Sequence, residues 1–246
     1  GGNGGSIGAI LTNRIFDNAG DMTTAGLDFH LHPGSNIHIT LHGTASIHNE
    51  SDNFEYIYDQ STNDYPSTFD DGKYTKTFDG EKITGNALGF AINYRDRTDD
   101  YGVVLRLRSP GFRTSNGFEK NNSTKWLKAG RGKTVYYDNH PKLLKTKYNI
   151  ETVYKTNYTG VIKKQELSLS TSSDLKNGDF FKLSGELEKE NFRGIQFDNL
   201  YEFEFGYRNQ INSSLKVYNE LQSRKIIVRN LDNPRSSGFY QVKSYV

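Results

Sequence analysis

The sequence predicts an all-β protein, built as an antiparallel β-sandwich or jelly roll. Its 246 residues include 24 Gly, 16 Tyr and 15 Phe but only 5 Pro, a composition that suits strands joined by tight turns. Short apolar segments recur along the chain, with turn signals about every 8–12 residues. No sustained 3.6-residue period indicates a set of helices. This combination is typical of β-sandwiches.

A hairpin is predicted over residues 27–48. Residues 37–42 alternate apolar and polar side chains, the period of a half-buried strand. Residues 33–36, Pro-Gly-Ser-Asn, form the turn signal before them. We expect residues 1–35 to form a Gly-rich N-terminal segment with the first strands, and residues 36–246 to form a single sandwich domain.

The middle of the chain mixes strands with two long polar stretches. Residues 49–72 are acidic and predict a surface loop with one aromatic strand candidate at 54–58. Residues 109–146 show no regular pattern, and a connection of that length is either functional or an excursion with strands of its own. The strands predicted before this stretch are 73–79, 87–95 and 101–108.

Further strands are predicted in the last hundred residues. Residues 213–224 fit either the one helix candidate, with Leu215, Tyr218 and Leu221 spaced three apart, or a strand. The predicted strands are 147–156, 160–170, 179–188, 200–208, 215–219, 225–230 and 238–245.

Residues 89–108 carry a resemblance to a known fold family. A Gly-Phe strand, a polar Asp-rich turn and an aromatic-led strand ending in Leu107-Arg108 follow one another here. This pattern resembles the paired strands of concanavalin-A-like and laminin-G-like jelly rolls, and residues 199–201 are similar to their closing part. Over residues 70–230, the resemblance implies a jelly-roll fold, a tendency to bind glycans and no catalytic residue.

Composition limits the classes of function. The 31 Lys and Arg against 29 Asp and Glu lack the basic excess of a dedicated nucleic-acid binder, so no sequence-specific nucleic-acid partner is expected. The absence of cysteine excludes disulfides, thiolate metal sites and a catalytic cysteine. No apolar run approaches the roughly 18 residues of a membrane helix, so membrane insertion is not expected. The lack of cysteine and the single Met favour an extracellular or virion-surface location.

Histidines are concentrated near the N-terminus. His30 and His32 share one strand face, as do His38 and His42, because side chains repeat every two residues. If the turn sets His32 opposite His38, all four imidazoles share a face and could bind zinc, copper or nickel. A two-residue turn would instead set His32 opposite Ile37 and disperse the cluster. A solvent-facing polar strand or a subunit contact is the alternative interpretation.

Carboxylates raise the possibility of an enzyme. Residues two apart on a strand lie about 6.5–7 Å apart, within the roughly 5–9.5 Å between carboxyl groups in glycoside hydrolysis. The alternation of Glu186, Glu188 and Glu190 is similar to the catalytic strand of concanavalin-like β-glucanases. Glu186, Glu188 and Glu204 are therefore the candidate catalytic residues of a hydrolase, although a solvated strand face is the simpler interpretation.

Two further groups of residues predict binding sites. Asp96, Asp99 and Asp100 fall on one turn, and their oxygen ligands suit calcium. Aromatic side chains near Asn and Asp suit glycan binding, because sugar rings stack on aromatic faces and loops commonly carry function. The candidate glycan-binding residues are Tyr101, Trp126, Tyr136, Tyr137 and His140.

The leading functional hypothesis is a non-catalytic module that binds a glycan or cell-surface receptor, as a homo-oligomer on an extracellular or virion surface. One alternative is a structural protein of a viral or phage particle. Another is a hydrolase or lyase that cleaves polysaccharide. A pore-forming toxin would need a long amphipathic hairpin of alternating Ser and Thr, and residues 165–172 offer a fragment of one.

Overall fold

The structure, a computed structural model, describes residues 4–15, 20–50, 68–70, 72–75, 80–113, 122–212, 215–230 and 233–245. Within these ranges every regular element is a β-strand, which confirms the predicted all-β class. The long strands form one twelve-stranded sheet, and two short strands pair separately. Wherever the register between neighbouring strands is defined, the strands pair antiparallel.

Strand lengths vary from two to sixteen residues. The strands are β1 (Gly4–Ile15), β2 (Gly20–His32), β3 (Ile37–Glu50), β4 (Thr68–Phe69), β5 (Tyr74–Thr75), β6 (Lys82–Arg95), β7 (Asp99–Arg108), β8 (Thr124–Tyr136), β9 (Leu143–Thr156), β10 (Ile162–Leu175), β11 (Phe180–Phe192), β12 (Ile195–Gln210), β13 (Lys216–Val228) and β14 (Arg235–Tyr245).

Strand order in the large sheet follows the order of the chain. β1, β2 and β3 are succeeded by β6, and every strand from β6 to β14 lies beside the next. Antiparallel neighbours need only a short turn between them, which explains the frequent turn signals in the sequence. A jelly roll instead contains Greek-key connections between strands that are distant in sequence.

The chain divides into two compact units. Unit 1 comprises Gly1–Ile92, Val104–Trp126 and Thr156–Val161. Unit 2 comprises Asn93–Val103, Leu127–Lys155 and Ile162–Val246. The predicted boundary at residue 35 stays a prediction.

Unit 1 contains the predicted N-terminal hairpin. Residues 33–36 connect β2 to β3, and Leu31 lies opposite Ile39, so the hairpin is confirmed. A second segment, residues 109–113, folds back onto β3 and β6. Phe112 is buried, and the backbone N–H of Arg113 donates to Ser46 Oγ at 3.1 Å. A Cβ at Gly85 would clash with the backbone of Phe112, so this close approach requires glycine.

Unit 2 contains five consecutive hairpin-linked strands, β10 to β14. Their register is regular apart from a shift between Glu188 and Glu190. A small apolar cluster of Phe197, Leu200 and Ile227, with Phe192 beside it, lies near this irregularity.

The structure bears on two local expectations. The stretch 109–146 contains a regular 13-residue strand, β8, as expected of an excursion with strands of its own. Glycines and charged residues interrupt the apolar alternation of β8, so the sequence did not define its bounds. The helix considered for 213–224 is wrong: this region and the predicted strand 225–230 fall largely in one strand, β13. The strand candidate at 54–58 lies outside the described residues.

Candidate functional site: the two faces of the sheet

Strands β10–β14 turn one row of apolar side chains to a common side, named here the apolar face. The register sets Leu187 opposite Leu167 and Tyr201, and Phe205 opposite Leu183 and Leu221. Because side chains alternate along a strand, these residues point to one side of the sheet. The apolar face consists of Leu167, Leu169, Phe181, Leu183, Leu187, Tyr201, Phe203, Phe205, Leu221, Tyr240 and Val242.

The apolar face is exposed to an unusual degree. Leu187 is 63% exposed, Leu169 52% and Val242 73%. In the described part of the chain, 35 large hydrophobic residues are exposed, whereas eight hydrophobic residues are buried. Soluble monomers seldom expose contiguous apolar patches larger than a few hundred Å², so this surface requires a partner or an apolar environment.

The opposite side of β10–β14 is named here the charged face. Lys182 Nζ lies 2.7 Å from Glu204 Oε1, and Lys164 Nζ lies within 3.2 Å of both Glu166 and Glu188. Cross-strand pairs of opposite charge stabilise sheets. The charged face consists of Lys164, Glu166, Lys182, Glu186, Glu188, Glu202, Glu204, Glu220, Arg224 and Lys243.

Exposure on the two faces is the reverse of that in ordinary water-soluble proteins. The Glu166 and Glu204 side chains are only 12% and 11% exposed, whereas Leu187 is mostly exposed. Carboxylates are rarely buried unless paired, and these two are paired with lysines. Most side chains on one side of β10–β14 are therefore apolar, with Lys225 opposite Tyr201 as a charged exception, and the cross-strand pairs of Glu166 and Glu204 lie on the other side.

Unit 1 also exposes apolar side chains on one side of its strands. Ile7, Leu11 and Leu27 share one side of β1 and β2 and are 65–78% exposed. On the other side lie Ser46 and Met22, both buried.

Tyrosines mark one end of the strands in unit 2. The Tyr207 ring stacks on Phe181 at 4.8 Å, and its hydroxyl donates to Asp179 in the turn before β11. The Tyr136 hydroxyl donates to the carbonyl of Arg97 in the turn before β7. The Tyr101 hydroxyl donates to Asp99. In each case the hydroxyl reaches polar groups at or beside a turn.

The carboxylates in these turns are held in their ionised form. Asp96 accepts from the Tyr94 hydroxyl and from the backbone N–H groups of Asp99 and Thr98, and these bonds lower its pKa to about 2. The backbone N–H of Gln210 lowers the pKa of Asp179, and side-chain donors add to this effect.

The four histidines adopt the register that gathers them on one face. His32 and His38 flank the turn at residues 33–36, and their ring centroids lie 4.6 Å apart in an edge-to-face arrangement. Asp28 lies opposite His42, and His30 opposite Thr40, which sets all four histidines on the same side. The Cβ-less position at Gly89 accommodates the His42 ring.

The predicted calcium ligands each bind their own protein partners. Asp99 pairs with Lys133 at 2.7 Å, and Asp100 pairs with Arg95 at 2.8 Å. Among the described residues, the sole set of three His or acidic side chains whose ligand atoms all lie within 4.8 Å of one another is Glu166, Glu186 and Glu188. The histidines and the turn aspartates do not form such a set.

The predicted glycan-binding aromatics are distributed over both units. Trp126 belongs to unit 1 and lies 5.0 Å from the Arg106 guanidinium. Tyr101, Tyr136, Tyr137 and His140 belong to unit 2. His140 Nδ1 accepts from the backbone N–H groups of residues 142 and 143, so this imidazole organises its turn.

The candidate catalytic glutamates lie on the charged face. Glu188 and Glu204 are both paired with lysines, whereas Ser168 donates to Glu186 at 3.5 Å. The alternation of acids in the sequence is real, but their pairing partners come from neighbouring strands. Sequence reasoning missed the apolar face itself, although its signal, an apolar residue at every second position of strand after strand, was present.

Comparison with known proteins adds no family: neither a scan of protein-family models nor a search of curated proteins found a match. In the residues that the structure describes, no helix has the length and apolar character needed to cross a bilayer.

Proposed function

We propose that this chain is an integral membrane protein whose strands cross the lipid bilayer. The apolar face contacts hydrocarbon, and the charged face lines a water-filled path for ions or polar solutes. The observation that carries the proposal is the reversed exposure of the two faces. Strands that alternate apolar and polar residues in this way are the pattern expected when one side meets lipid and the other meets water.

Strand length supports the proposal. A tilted strand needs about 9–11 residues to cross a hydrocarbon core about 30 Å thick. β9 to β13 contain 13–16 residues each. On β9, the exposed side chains Leu144, Tyr148, Ile150 and Tyr154 extend over about 33 Å at 3.3 Å per residue.

Tyrosines at the strand ends also support it. Rings with a polar end favour the boundary between hydrocarbon and headgroups. Tyr101, Tyr136 and Tyr207 each direct a hydroxyl toward polar groups at or beside a turn. This proposal departs from the expectation that the chain does not enter membranes, which rested on the absence of an apolar helix-length run.

A second sheet packed on the apolar face, as in the predicted sandwich, is the alternative occupant of that surface. Glycan or receptor binding, oligomerisation and an extracellular or virion-surface location stay predictions. The distinction matters because a sandwich core would exclude both water and lipid from the apolar face.

Site-directed fluorescence distinguishes these occupants. The chain has no cysteine, so single Cys variants can be labelled with an environment-sensitive fluorophore and reconstituted into phosphatidylcholine vesicles. Leu183→Cys and Ser184→Cys are adjacent in β11 but face opposite sides. We expect nitroxide on lipid acyl chains to quench the label at 183, and aqueous iodide to quench the label at 184.

Three outcomes would contradict the proposal. Reversed quenching would assign the charged face to lipid. Protection of residue 183 from both quenchers, in protein that does not float with vesicles, would support a sandwich. Equal iodide quenching at both positions would show that neither face contacts lipid. The same two variants measured without vesicles provide the control.

A further inference from the structure

The apolar face of unit 2 contains a groove with a volume of about 470 Å³. Its base is Gly185, where an added Cβ would meet nothing within 4 Å. Leu169 and Phe203 lie opposite Gly185 on the neighbouring strands, and Leu183 lies two residues along β11. A cavity of this size falls within the range of small-molecule sites.

Two cations line the same groove. Arg131 and Lys133 both line it. They belong to β8 and lie on the same side of that strand as the exposed Leu127. Lys133 is paired with Asp99 at 2.7 Å. The Arg131 guanidinium lies over the Tyr101 ring, 5.2 Å from its centroid. In the described part of the chain, no carboxylate pairs with Arg131.

We propose that this groove binds an anionic phospholipid, with an acyl chain along Leu169, Gly185 and Phe203 and the phosphate at Arg131. The inference rests on the proposed membrane function and deepens it by naming a ligand. The chemistry of the groove matches an amphiphile, because hydrocarbon walls end at a cation. Guanidinium is suited to phosphate because its planar N–H groups can donate two parallel hydrogen bonds.

Neighbouring side chains connect Arg131 to the end of its strand. Residue 131 lies five positions before the end of β8, and the Lys133–Asp99 pair lies between it and that end. A long cationic side chain can extend along an apolar surface and bring its charge toward the headgroups. Tyr101, beneath the guanidinium, has its hydroxyl on Asp99 and belongs to the same boundary.

Native mass spectrometry of the full chain, released from vesicles of equal phosphatidylcholine and phosphatidylglycerol, tests the assignment. We expect the wild type to retain phosphatidylglycerol about tenfold more than phosphatidylcholine, the ratio for one charge-assisted contact. Arg131→Gln should bring that ratio to about one. Gly185→Leu should reduce retention of both lipids, because the new side chain fills the groove.

Matched controls isolate the site. Lys189→Gln removes an exposed cation that is paired with Asp198 at 3.5 Å and does not line the groove. Gly238→Leu adds the same side chain on the same side of β14, where a Cβ meets only an ordinary contact at 3.5 Å. Both controls should retain phosphatidylglycerol like the wild type.

The possible results separate the ligand from the membrane function. Vesicle flotation of every variant with unchanged lipid ratios would overturn the groove assignment alone. Failure of the wild type to float would overturn the membrane proposal, and the groove assignment with it. Competition by soluble glycerol phosphate as effective as competition by the lipid would show that the site binds free phosphate, contrary to the proposal.

Discussion

Strands β1–β3 and strands β10–β14 resemble each other on one face and differ on the opposite face. Both groups expose apolar side chains on one side, such as Leu27 in unit 1 and Leu187 in unit 2. The opposite side of β1–β3 carries histidines and hydroxyl groups and packs against residues 109–113. The opposite side of β10–β14 carries cross-strand ion pairs. The two groups of strands are therefore alike in their exposed apolar side chains and differ in the side chains of the opposite face.

A charged residue introduced on the apolar face should have the largest effect on folding into a bilayer. Leu221→Arg would set a guanidinium among Phe205 and Val242, and a cation near the bilayer midplane costs about 2–4 kcal/mol. We expect a large drop in the fraction that folds into phosphatidylcholine vesicles, measured by urea titration of bilayer-folded protein.

The matched control sets the same cation on the charged face. Ser168→Arg lies beside Glu166 and Glu186, so it should insert at nearly the wild-type level. Equal losses in both variants would mean that the two faces have similar surroundings, contrary to the proposal.

The packing of residues 109–113 on the polar side of unit 1 can be tested at Gly85. Gly85→Ala would force the backbone of residues 109–113 away from β6, because the new Cβ clashes with Phe112. Overpacking of this kind costs about 1–3 kcal/mol. Faster trypsin cleavage after Arg113 and a lower unfolding midpoint are the expected results.

Gly43→Ala serves as the comparison in the same unit. Its Cβ would lie 3.9 Å from Leu88 Cδ1, an ordinary contact, so stability should change little. If Gly85→Ala behaves identically, residues 109–113 do not pack on β6 as described.

The polar side of unit 2 depends on its ion pairs. Glu204→Gln leaves the Lys182 ammonium without its carboxylate. Glu204 is 9% exposed, whereas the Lys182 side chain is 38% exposed and so remains accessible to water. We expect a loss of about 1–2 kcal/mol, below the cost for a fully buried pair because water remains accessible. Asp198→Asn breaks an exposed pair with Lys189 and should change the unfolding free energy by less than about 0.5 kcal/mol.

Much of the fold follows from local sequence, because alternation and turn residues act over a few positions. The hairpin at Pro33 and the strand ending at Arg108 were predictable for that reason. The environment of each face is not local information. A mean hydropathy of -0.75 averages one apolar face with one polar face and polar turns, so it does not reveal the exposed hydrocarbon.

The candidate roles of the glutamates stay predictions, because their chemistry depends on partners from neighbouring strands that the sequence does not specify. The register brings Lys164 to Glu188, a contact between residues 24 positions apart in the chain. The four histidines show the converse, since a single register choice decided whether they shared a face.

The smallest expected effect concerns the turn between β6 and β7, which lies in unit 2. Hydrogen-bond donors from three residues hold the Asp96 carboxylate, with a pKa of about 2 against an ordinary value of 3.8. A depressed pKa means that the ionised group stabilises the folded state above about pH 4, and that this contribution is lost as pH falls toward 2. Wild-type stability should therefore decline over this interval by more than that of Asp96→Asn, which cannot ionise.

Other carboxylates titrate in the same range, so a second variant is needed to isolate the contribution of Asp96 to the pH dependence of stability. Asp138→Asn, in the turn between β8 and β9, should retain the wild-type dependence on pH when unfolding is followed at pH 4, 3 and 2. Parallel pH profiles for the wild type and Asp96→Asn would show that the donors from Tyr94, Thr98 and Asp99 do not favour the ionised carboxylate. A steeper profile in the wild type would show that these donors stabilise the ionised carboxylate in the folded protein.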